Sequence, residues 1–299
     1  MAADKKNDQP HLLVFGPGYS AEAFIKVAVK EGWCVSATWR REEMIEPIKK
    51  MGANPVHFSA ETTANSGNLK NITHILVSIA PKEGGDPVLN IFNDWLGSCP
   101  NLRWIGYLSS TNVYGDHDGE WVDETSETKP SLERGKRRLV AENDWMALGA
   151  AFNIPVHIFR LGGIYGQERN ALTNLRKGKV RRVIKPGQVF GRIHRDDIAS
   201  AVWLAANSGV PSNIFNLTDN LPSPPQDVIM EAARLLGVAP PEEVAFEDAD
   251  LSPMGRSFYQ ENKRVKNQKA KDLLGWRPAY PDYRQALAKI LEIEKNRGG

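Results

Sequence analysis

The stretch HLLVFGPGYSAEAFIKVAVKEGWCVSATWRR, residues 11–41, limits the fold more than any other part of the chain. Residues 12–15 form a short apolar run that stops at two glycines. Ala21, Phe24, Ile25, Ala28 and Val29 then recur at helical spacing, Gly32 closes the helix, and residues 33–39 are strand-like again. Strand, glycine-rich turn, helix and strand make a βαβ unit, which requires parallel pairing and a right-handed crossover. Further apolar runs at 55–58, 74–80, 103–110 and 156–162 alternate with helical segments at 87–98 and 131–149. The fold class is therefore α/β, a doubly wound parallel sheet. Beyond Gly166 the sequence turns basic and proline-rich, which predicts a smaller C-terminal lobe. The expected division is a sheet domain over 10–165, rejoined by about 193–220, with the lobe made from 166–192 and 221–299.

The turn itself carries chemistry. Gly16, Gly18 and Ala21 stand in G-x-G-x-x-A spacing, with Tyr19 and Ser20 inside the motif. The first glycine permits the tight turn, and the second lets backbone approach a pyrophosphate. The small third residue lets helix and strand pack closely, with the helix N-terminus facing the phosphates. That is the pattern of a Rossmann dinucleotide site. The following strand ends Thr38-Trp39-Arg40-Arg41, with no carboxylate before Glu42. An acidic residue there would bind a ribose 2′-hydroxyl and repel a 2′-phosphate, whereas Arg40 and Arg41 can bind the phosphate in a charge-assisted way. The expected cofactor is NADP.

Composition excludes other classes. The 299 residues are 41% hydrophobic and 25% charged, with 38 Lys plus Arg against 36 Asp plus Glu, a formal charge of +2. No global field draws the chain to nucleic acid or to a membrane. No apolar run approaches the roughly 18–20 residues of a membrane span, and the first ten residues have no apolar leader. Only Cys34 and Cys99 occur, which argues against a disulfide framework and for a reducing cytoplasm. The six histidines show no metal-ligand spacing, so no metal is expected, and His194 reads as structural. A homodimer is an allowed assembly that the sequence does not fix.

Several later segments resemble one family, the extended and atypical, epimerase-like branch of the short-chain dehydrogenase/reductases. YLSSTNVYG at 107–115 is similar to its fifth-strand motif, FRLGGIYG at 159–166 to its sixth, and RIHRDDIASAV at 192–202 to the segment that rejoins the cofactor domain. NIFNLTDN at 213–220 and AKDLLGWRPAY at 270–280 match later landmarks. The resemblance implies a catalytic Ser110, with Thr111 the alternative. It adds Ser78, Ala80, Ser109, Leu161 and Gly162 to the cofactor site and implies a nucleotide sugar or similar anionic small molecule as substrate.

One departure stands out. The family carries Tyr-x-x-x-Lys on the helix after the serine strand. Here PSLERGKRRLVAENDW, 130–145, has Arg134 at the tyrosine position and Arg138 at the lysine position, with Ser131 as expected N-cap. Guanidinium stays protonated and cannot exchange a proton as tyrosine does. Arg138 is then expected to anchor cofactor oxygens and Arg134 substrate oxygens, while Lys136 points to another helix face. Tyr165, Arg192 and Lys263 are further substrate candidates, and Tyr259, in a Tyr-x-x-x-Lys at 259–263, is an alternative catalytic tyrosine. Two functions stay open: an NADP-dependent oxidoreductase or epimerase, and a catalytically silent NADP(H)-binding module.

Overall fold

The computed structural model describes residues 9–61, 69, 71–178 and 180–298. Its core is a seven-stranded sheet, labelled in chain order β1 (His11–Phe15), β2 (Cys34–Trp39), β3 (Asn54–His57), β4 (His74–Val77), β5 (Trp104–Ser110), β6 (Val156–Leu161) and β7 (Asn213–Leu217). The spatial order is β7-β6-β5-β4-β1-β2-β3, and every pairing is parallel. The order reverses between β1 and β4, which opens a crevice beyond their C-terminal ends.

Helices cover both faces: α1 (Tyr19–Lys30), α2 (Ile45–Lys50), α3 (Pro87–Gly97), α4 (Glu133–Phe152), α5 (Ala171–Arg176), α6 (Arg195–Ala206), α7 (Pro225–Leu236), α8 (Pro253–Ser257), α9 (Gln268–Leu274) and α10 (Tyr283–Gly298). Successive residues of β1 enter opposite cores. Leu12 and Val14 join the α1 and α6 side, and Leu13 and Phe15 the side of α3 and α4. A strand buried on both faces has no polar alternation, so β1 reads as one apolar run.

The lobe closes its own small core, where Leu172, Ala232, Tyr283, Leu287 and Ile290 meet Tyr165. Short parallel pairs stitch it to the sheet domain. Arg192–His194 runs beside Gly163–Tyr165, and Arg264–Val265 beside Trp121–Val122. Ala270, Leu274 and Trp276 pack into the α1 and α6 side of the sheet's core. Among the described residues no helix is long and apolar enough to cross a membrane.

Helix α4 begins later than expected. Its N-cap is Leu132, with no side-chain cap, because the Ser131 hydroxyl donates instead to Glu261 Oε1 across the domain boundary at 2.7 Å. Gly135 packs where a Cβ would lie 2.7 Å from the Asn112 carbonyl oxygen. That contact seats the helix directly on the end of β5.

Candidate functional site

Gly16 ends β1 with a φ of 81°, and a Cβ there would stand 2.7 Å from Ile79 Cγ1 beyond β4. Only glycine fits without displacing that wall. Gly18 is the N-cap of α1, its φ of −83° and ψ of −173° are ordinary extended backbone, and nothing lies within 4 Å of an added Cβ. No side chain caps α1, which leaves its first N–H groups without a side-chain acceptor at the reversal of strand order, among the described residues. An anion suits that place, because the helix dipole and the free donors act together. Ser20 and Ala21 are buried beneath, Ala21 in the sheet core.

The rim of this crevice is polar. Ser78 is half-buried and Ala80 exposed just past β4. Arg40 and Arg41 are exposed past β2. Arg41 pairs with Glu43 at 3.1 Å, while Arg40 makes no ion pair among the described residues. Tyr19 reaches across the crevice and donates to the Gln167 carbonyl at 2.8 Å. The guanidinium carbons of Arg195 and Arg169 lie 4.3 and 5.8 Å from the centre of its ring. These two arginines are absent from the sequence-derived set, because their place opposite the glycine turn depends on how segments more than a hundred residues away return to it.

A cavity of about 720 Å³ lies at the C-terminal ends of β5 and β6, walled by the lobe. Ser110, Thr111, Arg134, Leu161, Gly162, Tyr165, Arg192, Tyr259 and Lys263 all line it, so nine sequence-derived candidates converge. The Ser110 hydroxyl oxygen accepts from the Asn112 N–H at 3.2 Å and sits at the mouth of the strand. Ser109 is placed differently. It is 4% exposed, and its hydroxyl donates to Glu142 Oε1 at 2.5 Å. Strand alternation turns neighbouring side chains to opposite faces, so the side chain of Ser109 does not reach the groove. Glu142 also holds Arg160 through two nitrogens, with the shortest contact 2.8 Å and both side chains under 5% exposed. This buried pair fixes α4 to β6 beneath the cavity.

Arg134 and Arg138 share the inner face of α4 but do different things. Arg138 donates to the Leu108 carbonyl at 2.7 Å and the Tyr107 hydroxyl at 3.2 Å, so one of its terminal nitrogens is committed to β5. Arg134 leans into the lobe, donating to Ser257 Oγ at 2.7 Å with its guanidinium 4.9 Å from the Phe258 ring centre. Its Nε is buried with no hydrogen-bond partner. Lys136 points outward to Glu133.

Lys263 is 9% exposed and donates to the Gly115 carbonyl at 2.7 Å and to Glu261 Oε2 at 2.9 Å. Burial pulls its pKa below the usual lysine range, with the Glu261 carboxylate opposing. Burial pushes Tyr259 upward, and Tyr165 likewise, whose hydroxyl has no partner among the described residues. Neither tyrosine is thus tuned towards neutral proton exchange. Arg192 donates to the carbonyls of Phe190 and Ser223, and nearby Asp219 is pushed up to about 7 by burial, the Arg192 charge opposing. His194 is buried and stacked on Tyr280 at 3.7 Å, and burial lowers it to about 4. Among the described residues no group of His, Cys, Asp and Glu could hold a metal ion.

The basic segment after Gly166 is largely neutralised. Arg176 pairs with Glu294 at 2.6 Å, Arg181 with Asp250 at 3.0 Å, Arg182 with Glu243, and Lys185 donates to the Tyr259 carbonyl. Lys179 lies outside the described residues.

No family model matches the chain. Over 286 residues it is 30% identical to Protein YeeZ of Escherichia coli strain K12, covering 91% of this chain and 96% of that protein. The structure of a conserved protein of unknown function from Silicibacter pomeroyi DSS is 44% identical, with TM-score 0.89 over 96% of this chain and 100% of its own. A Methylobacillus flagellatus structure described as an NAD-dependent epimerase/dehydratase is 25% identical, with TM-score 0.73 over 96% and 99%. The dTDP-glucose 4,6-dehydratase of Bacillus anthracis, solved with NAD, shares the fold at 17% identity and TM-score 0.74 over 97% and 98%. Sheet order, the open glycine turn and these full-length likenesses agree, and the chain belongs to the extended short-chain dehydrogenase/reductases of the NAD-dependent epimerase/dehydratase type.

Proposed function

We propose that this protein is an NADP-binding oxidoreductase or epimerase that acts on a small anionic molecule without the family's Tyr-x-x-x-Lys pair. One observation carries the reading. The uncapped N-terminus of α1 opens at the sheet's switch point, and the cavity lined by Ser110 lies at the ends of strands in the same sheet. The residues suit a dinucleotide: backbone N–H groups at Tyr19 and Ser20 for the pyrophosphate, and Arg40 for a 2′-phosphate. Arg169 and Arg195 add positive charge opposite the turn. Residues 10–165 and 193–220 would form the cofactor half, together with 268–276, and the remaining lobe the substrate half.

When bound, the nicotinamide would supply or accept the hydride. Ser110, or Thr111 beside it, would donate a hydrogen bond to the oxygen of the reacting carbon. Arg134 holds an anionic oxygen but cannot move a proton. Lys263, which burial draws below the usual lysine range and which unlike a guanidinium can release a proton, is the group we assign as proton carrier.

A second reading, a catalytically silent NADP(H)-binding module, is favoured by Arg134 at the tyrosine position and by the upward shifts of Tyr165 and Tyr259. The two separate in one assay. The protein is incubated with NADPH and a panel of nucleotide sugars and oxo acids, and the absorbance of the reduced nicotinamide is followed. An enzyme shows turnover that falls on Ser110→Ala and Lys263→Met. A silent module binds NADPH and shows no turnover with any member.

A further inference from the structure

The cavity's composition says what kind of anion it takes. Between its polar groups the lobe side carries Val189, Phe190, Val228, Phe258 and Leu287, facing Leu161 of the sheet. Met254 and Phe258 stay 59% and 48% exposed beside Arg134, an apolar margin next to the cation. A nucleoside diphosphate carries two negative charges and a polar base, and would need several cations free to meet it. Most cations of the surrounding lobe are already answered, and Arg169, which also lines the cavity, turns its guanidinium to the Tyr19 ring on the side of the glycine turn. Arg176, Arg181 and Arg182 sit in ion pairs, Lys263 is paired with Glu261, and Arg192 is bonded to carbonyls. Of the cavity's charged side chains, Arg134 is the one with a buried nitrogen that has no partner, among the described residues. An unsatisfied guanidinium N–H in an apolar pocket is costly until an acceptor reaches it.

We propose that this site takes a monoanionic amphipath, an alkyl or aryl body bearing one carboxylate, with the carboxylate on Arg134 and the body among the lobe's apolar side chains. The proposal rests on the reading that this cavity is the substrate site, and it replaces the nucleotide sugar by an apolar carboxylic acid. The apolar lobe wall and the one cavity cation with an unpartnered buried nitrogen, among the described residues, point the same way.

Titration calorimetry on the full chain, with and without saturating NADPH, tests it using decanoate, decanol and UDP-glucose as probes. Decanoate is expected to bind, and Arg134→Gln to weaken it by about ten- to a hundredfold, the loss of one charge-assisted contact. Arg134→Lys should keep part of that affinity, and decanol should bind wild type and Arg134→Gln alike. Absence of decanoate binding, equal decanoate affinity in Arg134→Gln, or tighter binding of UDP-glucose than of decanoate would each overturn the proposal. Binding of NADPH is read separately in the same titrations. Its failure strikes the cofactor reading and leaves the decanoate result to be judged on the chain alone.

Discussion

Replacing Gly18 by valine should remove dinucleotide binding and leave the fold in place. The backbone at Gly18, φ −83° and ψ −173°, is a conformation that a β-branched residue adopts readily. No atom lies within 4 Å of the new Cβ, so no core contact is lost or compressed. The stability cost is that of a poorer N-cap, about 1 kcal/mol. The added methyls would occupy the space where α1 presents its free N–H groups, and a pyrophosphate could no longer approach them. A loss of about a hundredfold or more in NADPH affinity is expected, equivalent to about 2.7 kcal/mol. Gly16→Val is the contrasting variant. There the left-handed φ of 81° and the 2.7 Å approach to Ile79 act together. Backbone strain of about 1–2 kcal/mol adds to overpacking of about 1–3 kcal/mol, so this variant should lose stability as well as binding. Urea unfolding and calorimetric titration with NADPH, run on both variants, separate the two effects. Gly18→Val that binds NADPH within about twofold of wild type would refute the placement of the cofactor.

Other outcomes follow from single contacts. Arg40→Ala should narrow the preference for NADPH over NADH more than Arg41→Ala does, since Arg41 pairs with Glu43 and Arg40 makes no ion pair among the described residues; parallel titrations of both variants decide it. Glu142→Ala would strand the buried Arg160 charge and the Ser109 hydroxyl, lowering unfolding free energy by about 3–5 kcal/mol in urea melts. Asp219, with its folded pKa raised to about 7, binds its proton more tightly folded than unfolded. Its contribution to stability is therefore complete below pH about 4 and is lost as pH rises to about 7. Asp219→Asn should gain stability relative to wild type between thermal melts at about pH 5 and about pH 8; a constant difference would contradict this.

The parts of the fold legible in the sequence were those with local signals. The β1 run, the glycine turn and the α1 periodicity needed only neighbours in the chain, and the structure keeps them within a residue or two. The apolar runs of β5 and β6 were equally plain, and Ser110, Leu161 and Gly162, singled out by the family resemblance, lie at their ends and line the cavity. What the sequence could not show were decisions made by distant partners. Ser131 looks like a cap until Glu261, 130 residues on, takes its hydroxyl. Ser109 and Ser110 are chemically identical, and only the face of β5 turned to Glu142 separates them. The basic run after Gly166 stands in the sequence without its acidic partners, because Glu243, Asp250 and Glu294 lie in the last quarter of the chain.

The central claim is that this family member binds a 2′-phosphorylated dinucleotide in the crevice between β1 and β4. Calorimetric titration of the wild-type protein with NADPH and with NADH, under one buffer and ionic strength, tests it most directly. NADPH should bind more tightly by about ten- to a hundredfold, the value of a charge-assisted contact to Arg40. Equal affinities, tighter binding of NADH, or no binding of either dinucleotide would contradict the account.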